Sequence, residues 1–282
     1  MKKRFGRAYV EITNRCNLAC AFCPGTRRAP RSMTAPEFSH IINELRPYTD
    51  WLHLHVMGEP LGHPDLAALL KEARDFRVAV TTNGTLLPAR GELLSGIYKV
   101  NVSLHSFEGN GGADVSGYLE GVLDFAERAA RTGTLVILRL WNLDGDDAGL
   151  NAQNGEILAR IAARFRTPPL APLLAADGKV RLADHVYAEV ARRFRWPDLR
   201  AEDLGERGFC MGLRDQIAVL SDGTVVPCCL DHEGDIALGN LLASPLAEIL
   251  AAPRARALYD GFSRRVAAEP LCRRCAYRAR FD

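Results

Sequence analysis

The sequence predicts an α/β fold: a partial (β/α)6 TIM-like barrel followed by a small domain with a β-hairpin and a helix. First, strand-like and helix-like patterns alternate from residue 8 to residue 140 at the spacing of βα units. Second, glycine-containing and polar segments follow directly after the predicted strands, where the loops of such a barrel carry its chemistry. Third, the pattern changes near residue 206, and five of the eight cysteines lie beyond that point.

The barrel is predicted from five strands and the helices between them. The strands are predicted at 8–15, 51–57, 77–82, 99–105 and 135–140. The helices are predicted at 35–46, 64–75 and 116–132, with a short helical stretch after Asn83-Gly84. This alternation indicates a parallel sheet with the helices outside it.

Residues 142–205 give a weaker signal, because Pro168, Pro169 and Pro172 interrupt their pattern. We predict a sixth strand near 170–174 and a helix at 182–195.

The C-terminal part is predicted to begin with a hairpin. Two strands, 215–220 and 224–228, flank an Asp-Gly turn, which between apolar runs is typical of a hairpin. A helix is predicted at 245–259. We therefore predict two domains, a barrel at 1–205 and a small domain at 206–282.

The overall charge gives no sign of a nucleic-acid or membrane partner. The formal net charge is +2, and charged residues make up 25% of the chain, so no strong field surrounds it. The basic residues 1–7 are not followed by the apolar stretch of a signal peptide. We expect a soluble, cytoplasmic protein.

The cysteines fall into two clusters, which indicates metal sites rather than a disulfide framework. Cys16, Cys20 and Cys23 have the spacing Cys-x3-Cys-x2-Cys. A structural zinc site needs four protein ligands. Three thiolates in one short loop instead suit a four-iron cluster in which one iron has no protein ligand and can bind a small molecule.

This motif and its flanks resemble the radical S-adenosylmethionine (SAM) superfamily over about residues 8–142. The resemblance implies that Cys16, Cys20 and Cys23 bind a 4Fe-4S cluster, that SAM binds the open iron, and that SAM is cleaved to a 5′-deoxyadenosyl radical. It also implies a set of residues that contact SAM. These are Phe22, Gly58, Glu59, Asn83, Ser103 and Arg139.

Several of these residues have a structural alternative. Gly58-Glu59-Pro60 alone would be an ordinary turn after a strand, and Asn83-Gly84 a simple turn. Arg139 could bind the SAM carboxylate or form a salt bridge at the end of the barrel. His53 and His55 share a face of the second strand, but a lone histidine is more often structural. We assign no catalytic residue.

The later cysteines suggest a second cluster. Cys210, Cys228, Cys272 and Cys275 could bind one structural zinc ion or fully ligate one iron–sulfur cluster. Their arrangement resembles the twitch domain, the shortened SPASM domain of radical SAM enzymes, which implies one auxiliary 4Fe-4S cluster. Cys229 is not one of these four ligands. The alternatives for it are a buried small residue, a hydrogen-atom donor to a substrate radical, and a replacement ligand.

The resemblance implies an enzyme that receives electrons from flavodoxin or ferredoxin. We expect hydrogen abstraction from a substrate, with the auxiliary cluster as electron acceptor. Oxidation of a small-molecule alcohol is slightly favoured, because Cys16 lies too near the start for an N-terminal peptide-recognition domain. The alternatives are a peptide-modifying maturase and a non-enzymatic electron carrier or zinc-stabilised binding protein.

Overall fold

One mixed sheet organises the part of the chain that this computed structural model describes, residues 3–106, 115–143, 152–193 and 195–281. Its ten strands within those ranges are β1 Arg7–Val10, β2 Trp51–His53, β3 Arg77–Thr82, β4 Lys99–Ser103, β5 Leu135–Leu143, β6 Lys179–Ala183, β7 Val186–Arg192, β8 Gln216–Val219, β9 Thr224–Val226 and β10 Gly239–Asn240. They are arranged in the order β10-β9-β8-β1-β2-β3-β4-β5-β7-β6.

Six consecutive neighbours in this sheet, β1, β2, β3, β4, β5 and β7, pair in parallel. The prediction of a partial (β/α)6 barrel is therefore confirmed. Loops that follow these strands meet at one edge of the sheet, since parallel strands all end there.

Helices connect the strands. They are α1 Ala35–Leu45, α2 Leu66–Glu72, α3 Leu87–Arg90, α4 Val115–Arg131, α5 Ala152–Phe165, α6 Leu170–Asp177, α7 Leu246–Ala251, α8 Pro253–Ser263 and α9 Pro270–Arg273. The start of α1 shows why they form: Thr34 and Glu37 make a reciprocal capping box, with proline in the first turn. None of the helices in the described ranges is long and apolar enough to cross a membrane.

Two predictions for the middle of the chain are wrong. Residues 170–174 belong to helix α6, because Leu170 and Leu174 lie one turn apart on its buried face and Gly178 ends the helix with a φ of 66°. The sixth parallel strand is β7. The predicted helix at 182–195 is instead the hairpin β6–β7, whose two-residue turn places His185 at a φ of 61°.

The two faces of the sheet differ in their exposure. Residues on the outer face, such as Val10, Leu52, Val100 and Leu138, are at most 1% exposed and belong to the main hydrophobic core. Residues on the inner face alternate with them along the strands, and many are polar or aromatic and partly exposed. We call the space bounded by this inner face the concave chamber.

The C-terminal hairpin continues the barrel sheet, because β8 pairs in parallel with β1. The Asp-Gly turn between β8 and β9 is present, with Gly223 at a φ of 87°. The predicted helix at 245–259 is divided into α7 and α8, since Pro253 begins a new helix. The sheet thus crosses residue 205, and the domain boundary there stays a prediction.

Candidate functional site

The first three cysteines lie in the loop after β1, at the carboxyl edge of the parallel strands. Cys16 and Cys23 are exposed and Cys20 is partly exposed. The backbone N–H of Cys23 donates to the carbonyl of Cys20 at 3.0 Å, which makes the loop turn tightly. Burial of the sulfur atoms raises the pKa of the Cys16 and Cys23 thiols. Thiolate formation at these positions therefore depends on a positive partner such as iron.

Loops from two neighbouring strands reach this cysteine loop. Asn83, after β3, places its Nδ2 at 3.8 Å from Cys16 Sγ and 2.9 Å from Asn17 Oδ1. Ser106, after β4, has its carbonyl oxygen 3.6 Å from Cys20 Sγ. Three loops thus converge, and Asn83 is placed where its amide can contact either the cysteine sulfur or a ligand beside it.

Gly58 packs against the backbone at the start of the cysteine loop. Its φ is 77°, and a Cβ at this position would lie 2.3 Å from the carbonyl oxygen of Thr13 and 2.8 Å from that of Arg15. The next residue, Glu59, donates its backbone N–H to the Arg15 carbonyl at 2.8 Å. The segment after β2 and the cysteine loop therefore touch through backbone alone, which only glycine permits.

The Glu59 side chain is buried and holds two loops together. One carboxylate oxygen accepts the Asn83 backbone N–H at 2.7 Å, and the other accepts the Leu61 N–H at 3.0 Å. Burial raises the pKa of Glu59, and the bond to the Asn83 amide works against that rise. The sequence pointed to Glu59 as a ligand contact, and the geometry adds that it fixes the position of Asn83.

Glu11 and Arg28 form an ion pair that sequence reasoning did not single out. Glu11 is fully buried, and its Oε2 accepts the Arg28 guanidinium at 2.7 Å and the Met57 N–H at 3.1 Å. Its Oε1 accepts the Ser221 N–H at 3.1 Å. Arg28 also donates to the carbonyl of His232 at 2.8 Å. The cysteine loop is thereby tied to the loops after β2 and β9.

Phe22 and Ser103 border the same region. The Phe22 ring lies 5.1 Å from the ring of His105, and the His105 Nδ1 is 3.3 Å from the carbonyl oxygen of Arg139. Ser103 is partly exposed on the inner face and is in register with Arg139 on the neighbouring strand. Phe22 and Ser103 thus lie at the rim of the concave chamber.

Arg139 extends into the concave chamber. Its guanidinium lies 4.3 Å over the Trp141 ring, and its Nε is 3.9 Å from Glu189 Oε1. Burial lowers the pKa of Arg139, against the opposing effect of Glu189. The salt bridge that the sequence offered as an alternative is therefore present as a long contact.

The floor of the concave chamber is a cluster of rings. The rings of His53 and His55 lie 4.8 and 5.5 Å from the ring of Tyr9. Burial lowers the pKa of His53 well below its usual value and that of His55 to about 3, and the positive charge of Arg139 adds to both shifts. Both histidines are therefore neutral at physiological pH.

The C-terminal cysteines surround a common cavity. It is lined by Cys210, before β8, by Cys228, after β9, and by Cys272 and Cys275, in and after α9. The rest of its lining is Tyr277, apolar side chains and the polar residues Gln216, Asp231 and Arg278. Burial raises the pKa of all four thiols, and neighbouring thiols raise that of Cys228 and Cys272 further. The four predicted ligands are thus brought together from three segments.

Cys229 points away from that cavity. Burial raises the pKa of its thiol to about 11, and interaction with Tyr9 works against that rise. It packs with the apolar residues on the inner face of β1 and β8. The structure therefore places this residue beside the concave chamber.

In the described part of the chain, no group of three or more histidine, cysteine or acidic side chains is arranged to hold one metal ion.

Two family models match the chain. The model of the radical SAM superfamily matches residues 10–148, and the SPASM model, described as an iron–sulfur cluster-binding domain, matches residues 210–276. The two matched regions contain both groups of cysteines and together take in most of the chain.

Two of the curated relatives have names that refer to nucleotides. A probable GTP 3′,8-cyclase of Methanocella arvoryzae is 27% identical over 274 residues, covering 88% of this chain and 89% of the relative. An S-adenosylmethionine-dependent nucleotide dehydratase of Selenomonas ruminantium is 33% identical over 82 residues, covering 28% of this chain and 30% of the relative.

Solved structures share the fold. BtrN in complex with AdoMet and 2-DOIA has a TM-score of 0.57 and 18% identity, and the match covers 98% of this chain and 94% of BtrN. Streptococcus suis SuiB bound to its precursor peptide SuiA has a TM-score of 0.60 and 14% identity, and the match covers 96% of this chain and 71% of SuiB.

Proposed function

Because the chain belongs to the radical SAM superfamily, we propose that it cleaves SAM reductively and uses the radical to abstract a hydrogen atom from a substrate. The observation that carries the proposal is the convergence of the cysteine loop with Gly58 and Asn83 at one edge of the sheet. With a 4Fe-4S cluster bound at Cys16, Cys20 and Cys23, SAM on the open iron would be split into methionine and a 5′-deoxyadenosyl radical.

The residues around that cluster would orient SAM. The backbone near Gly58 lies against the cysteine loop and is our candidate for the SAM ammonium group, with Glu59 holding it in place. The Asn83 amide would contact SAM beside Cys16, and the Phe22 ring would pack against SAM. Ser103 is our candidate for the ribose. These residues would hold SAM at the rim of the concave chamber, where the sheet shields it from bulk water.

We assign the second 4Fe-4S cluster to Cys210, Cys228, Cys272 and Cys275. Four protein thiolates leave no iron open for a substrate, which favours electron transfer. The aromatic side chain of Tyr277 lines the same cavity beside these four cysteines.

We favour a small, polar substrate that is oxidised. The inner face carries Arg139, Glu189 and Asn101, which suit hydrogen bonding to a hydroxylated molecule. Oxidation of an alcohol balances if the carbon-bound hydrogen goes to the deoxyadenosyl radical, one electron goes to the auxiliary cluster, and the hydroxyl proton goes to a base. Flavodoxin or ferredoxin would supply the electron that starts each cycle.

Two other substrates are supported by the comparisons. A purine nucleotide is suggested by the relatives named GTP 3′,8-cyclase, one of which aligns along nearly the whole chain. A peptide is suggested by the shared fold with SuiB, whose structure holds a precursor peptide.

The test is formation of 5′-deoxyadenosine, measured by mass spectrometry after anaerobic reconstitution and reduction with dithionite. Wild type and the Cys272→Ala/Cys275→Ala variant should produce it, and Cys16→Ala should not. Cys229→Ala is the matched control, because it removes a cysteine that is not an assigned ligand. Wild type should bind about eight irons and Cys16→Ala about four. Full iron without deoxyadenosine, in the presence of SAM and candidate substrates including GTP, would indicate an electron carrier instead.

A further inference from the structure

The concave chamber contains buried polar atoms that make no hydrogen bond within the described part of the chain. His55 Nδ1, Asn101 Oδ1 and Arg139 Nε are closed to solvent, and none has a hydrogen-bond partner among the described residues. Buried polar groups in folded proteins are nearly always paired. Three such atoms in one region therefore point to a ligand that pairs with them.

The three side chains face the same space. Asn101 lies between Val100 and Val102, which both pack in the outer core, so it projects to the inner face. Arg139 alternates in the same way on β5. The His55 ring contacts Tyr9 on the inner face of β1, and the charge of Arg139 acts on it.

The charges in this space leave a positive surplus. Arg139 and Lys99 face the chamber, and their positive charges act on each other. Glu189 offsets one of them. The charge of Glu11 is balanced by Arg28, and Glu59 lies beside the cysteine loop at the rim of the chamber.

We propose that His55, Asn101 and Arg139 form a subsite for an anionic, hydroxyl-bearing part of the substrate. The guanidinium suits the oxygens of a carboxylate or phosphate group, and the Asn101 oxygen accepts a hydrogen bond from an adjacent hydroxyl. The ring of Trp141 holds the guanidinium in position. This inference rests on the proposed function, since it names the substrate class of the same enzyme.

The position of Arg139 favours substrate over SAM as its partner. Its guanidinium contacts the Glu189 carboxylate and the Trp141 ring, on the inner face of β7 and β5. The charges that act on Cys16 come from Glu59 and Cys20 at the rim.

Binding is tested by anaerobic calorimetry on the reconstituted enzyme with two pairs of probes. Malate and succinate differ by one hydroxyl group, and ribose 5-phosphate and ribose differ by the phosphate. We expect malate or ribose 5-phosphate to bind with a Kd of about 10 mM or tighter. Succinate, which lacks the hydroxyl of malate, and ribose, which lacks the phosphate, should each bind more weakly than the other member of the pair. Which of the two binds distinguishes a carboxylate from a phosphate substrate.

Arg139→Met should weaken that binding about tenfold or more, and Arg139→Lys should weaken it less, because it keeps the charge but loses the planar fork. Arg164→Met is the matched control: it removes an arginine that pairs with Glu120, Asp124 and Glu127 on α4, outside the chamber. Its anion affinity should equal that of wild type. Thermal unfolding of each variant shows that it is folded.

The proposal is overturned if wild type binds none of these anions, or if Arg139→Met binds them as wild type does. A tenfold loss of SAM affinity in Arg139→Met, with anion binding kept, would assign Arg139 to the SAM carboxylate. Measurements on wild type distinguish failure of the subsite proposal from failure of the proposed reaction. Deoxyadenosine formation without anion binding removes only the subsite, and anion binding without deoxyadenosine removes only the proposed reaction.

Discussion

Replacing Glu11 by glutamine should destabilise the protein strongly, although it exchanges only one carboxylate oxygen for an NH2 group. Each carboxylate oxygen of Glu11 accepts from a different donor, the Ser221 N–H on one side and the Met57 N–H with Arg28 on the other. A glutamine side chain has one oxygen and one NH2 group. Its NH2 group would face either the Ser221 N–H or the Met57 N–H and Arg28, so two hydrogen-bond donors would point at each other. An unpaired buried amide costs about 1–3 kcal/mol, and a lost hydrogen bond to a charged group about 1.5–3 kcal/mol. The total agrees with the about 3–5 kcal/mol typical of broken buried ion pairs.

The assay is thermal unfolding of the reconstituted enzyme under anaerobic conditions. For a chain of this size, about 2 °C per kcal/mol predicts a midpoint at least ~6 °C below wild type. Asp75→Asn is the matched control, because it breaks the exposed pair with Arg46 and should cost less than about 1 kcal/mol. Iron at the first cluster should also fall in Glu11→Gln, since the cysteine loop loses an anchor. A midpoint within ~2 °C of Asp75→Asn would refute this account of the buried pair.

Three further changes have defined outcomes. Gly58→Ala should abolish SAM binding and lower first-cluster iron, because its Cβ would lie 2.3 Å from the Thr13 carbonyl oxygen; normal iron with normal SAM affinity would contradict this. The pKa of His55 is about 3 in the folded state against about 6.5 unfolded, so its stabilising effect is complete above pH 6.5 and is lost as the pH falls below that value. At pH 5.5 the loss is about 1.4 kcal/mol, and His55→Phe should show a smaller decrease in unfolding midpoint between pH 7.5 and 5.5 than wild type. Tyr118→Phe removes the 2.7 Å hydrogen bond to the Asn83 carbonyl and should cost about 1 kcal/mol by thermal unfolding, with SAM affinity reduced less than in Asn83→Ala.

The barrel strands could be predicted from the sequence because each has its own local pattern. The prediction for 77–82 matches β3, and 116–132 matches α4 within one residue at each end. The prediction failed at 170–195. The helix formers Leu and Ala decide the outcome at 170–174 in spite of Pro172, whereas pairing with β5 makes β7 a strand although its sequence suits a helix. Tertiary contacts thus overrode a weak local preference.

The candidate site, like the fold, could be predicted from the sequence only in part. The grouping of the cysteines could be predicted from their spacing, and the inner-face position of Asn101 from alternation along its strand. Glu11 and Arg28 could not be found, because their roles depend on Ser221 and His232, about two hundred residues away in the sequence. A buried carboxylate that satisfies backbone amides leaves no local pattern.

The pairing of β8 with β1 has a consequence for biosynthesis. The loop with Cys16 leaves the ribosome about two hundred residues before Ser221, which at 5–20 residues per second is roughly 10–40 s. During that interval Glu11 lacks its Ser221 partner and Arg28 lacks the His232 carbonyl. The contacts that shape the first cysteine loop are therefore completed only after residues 221 and 232 have been synthesised.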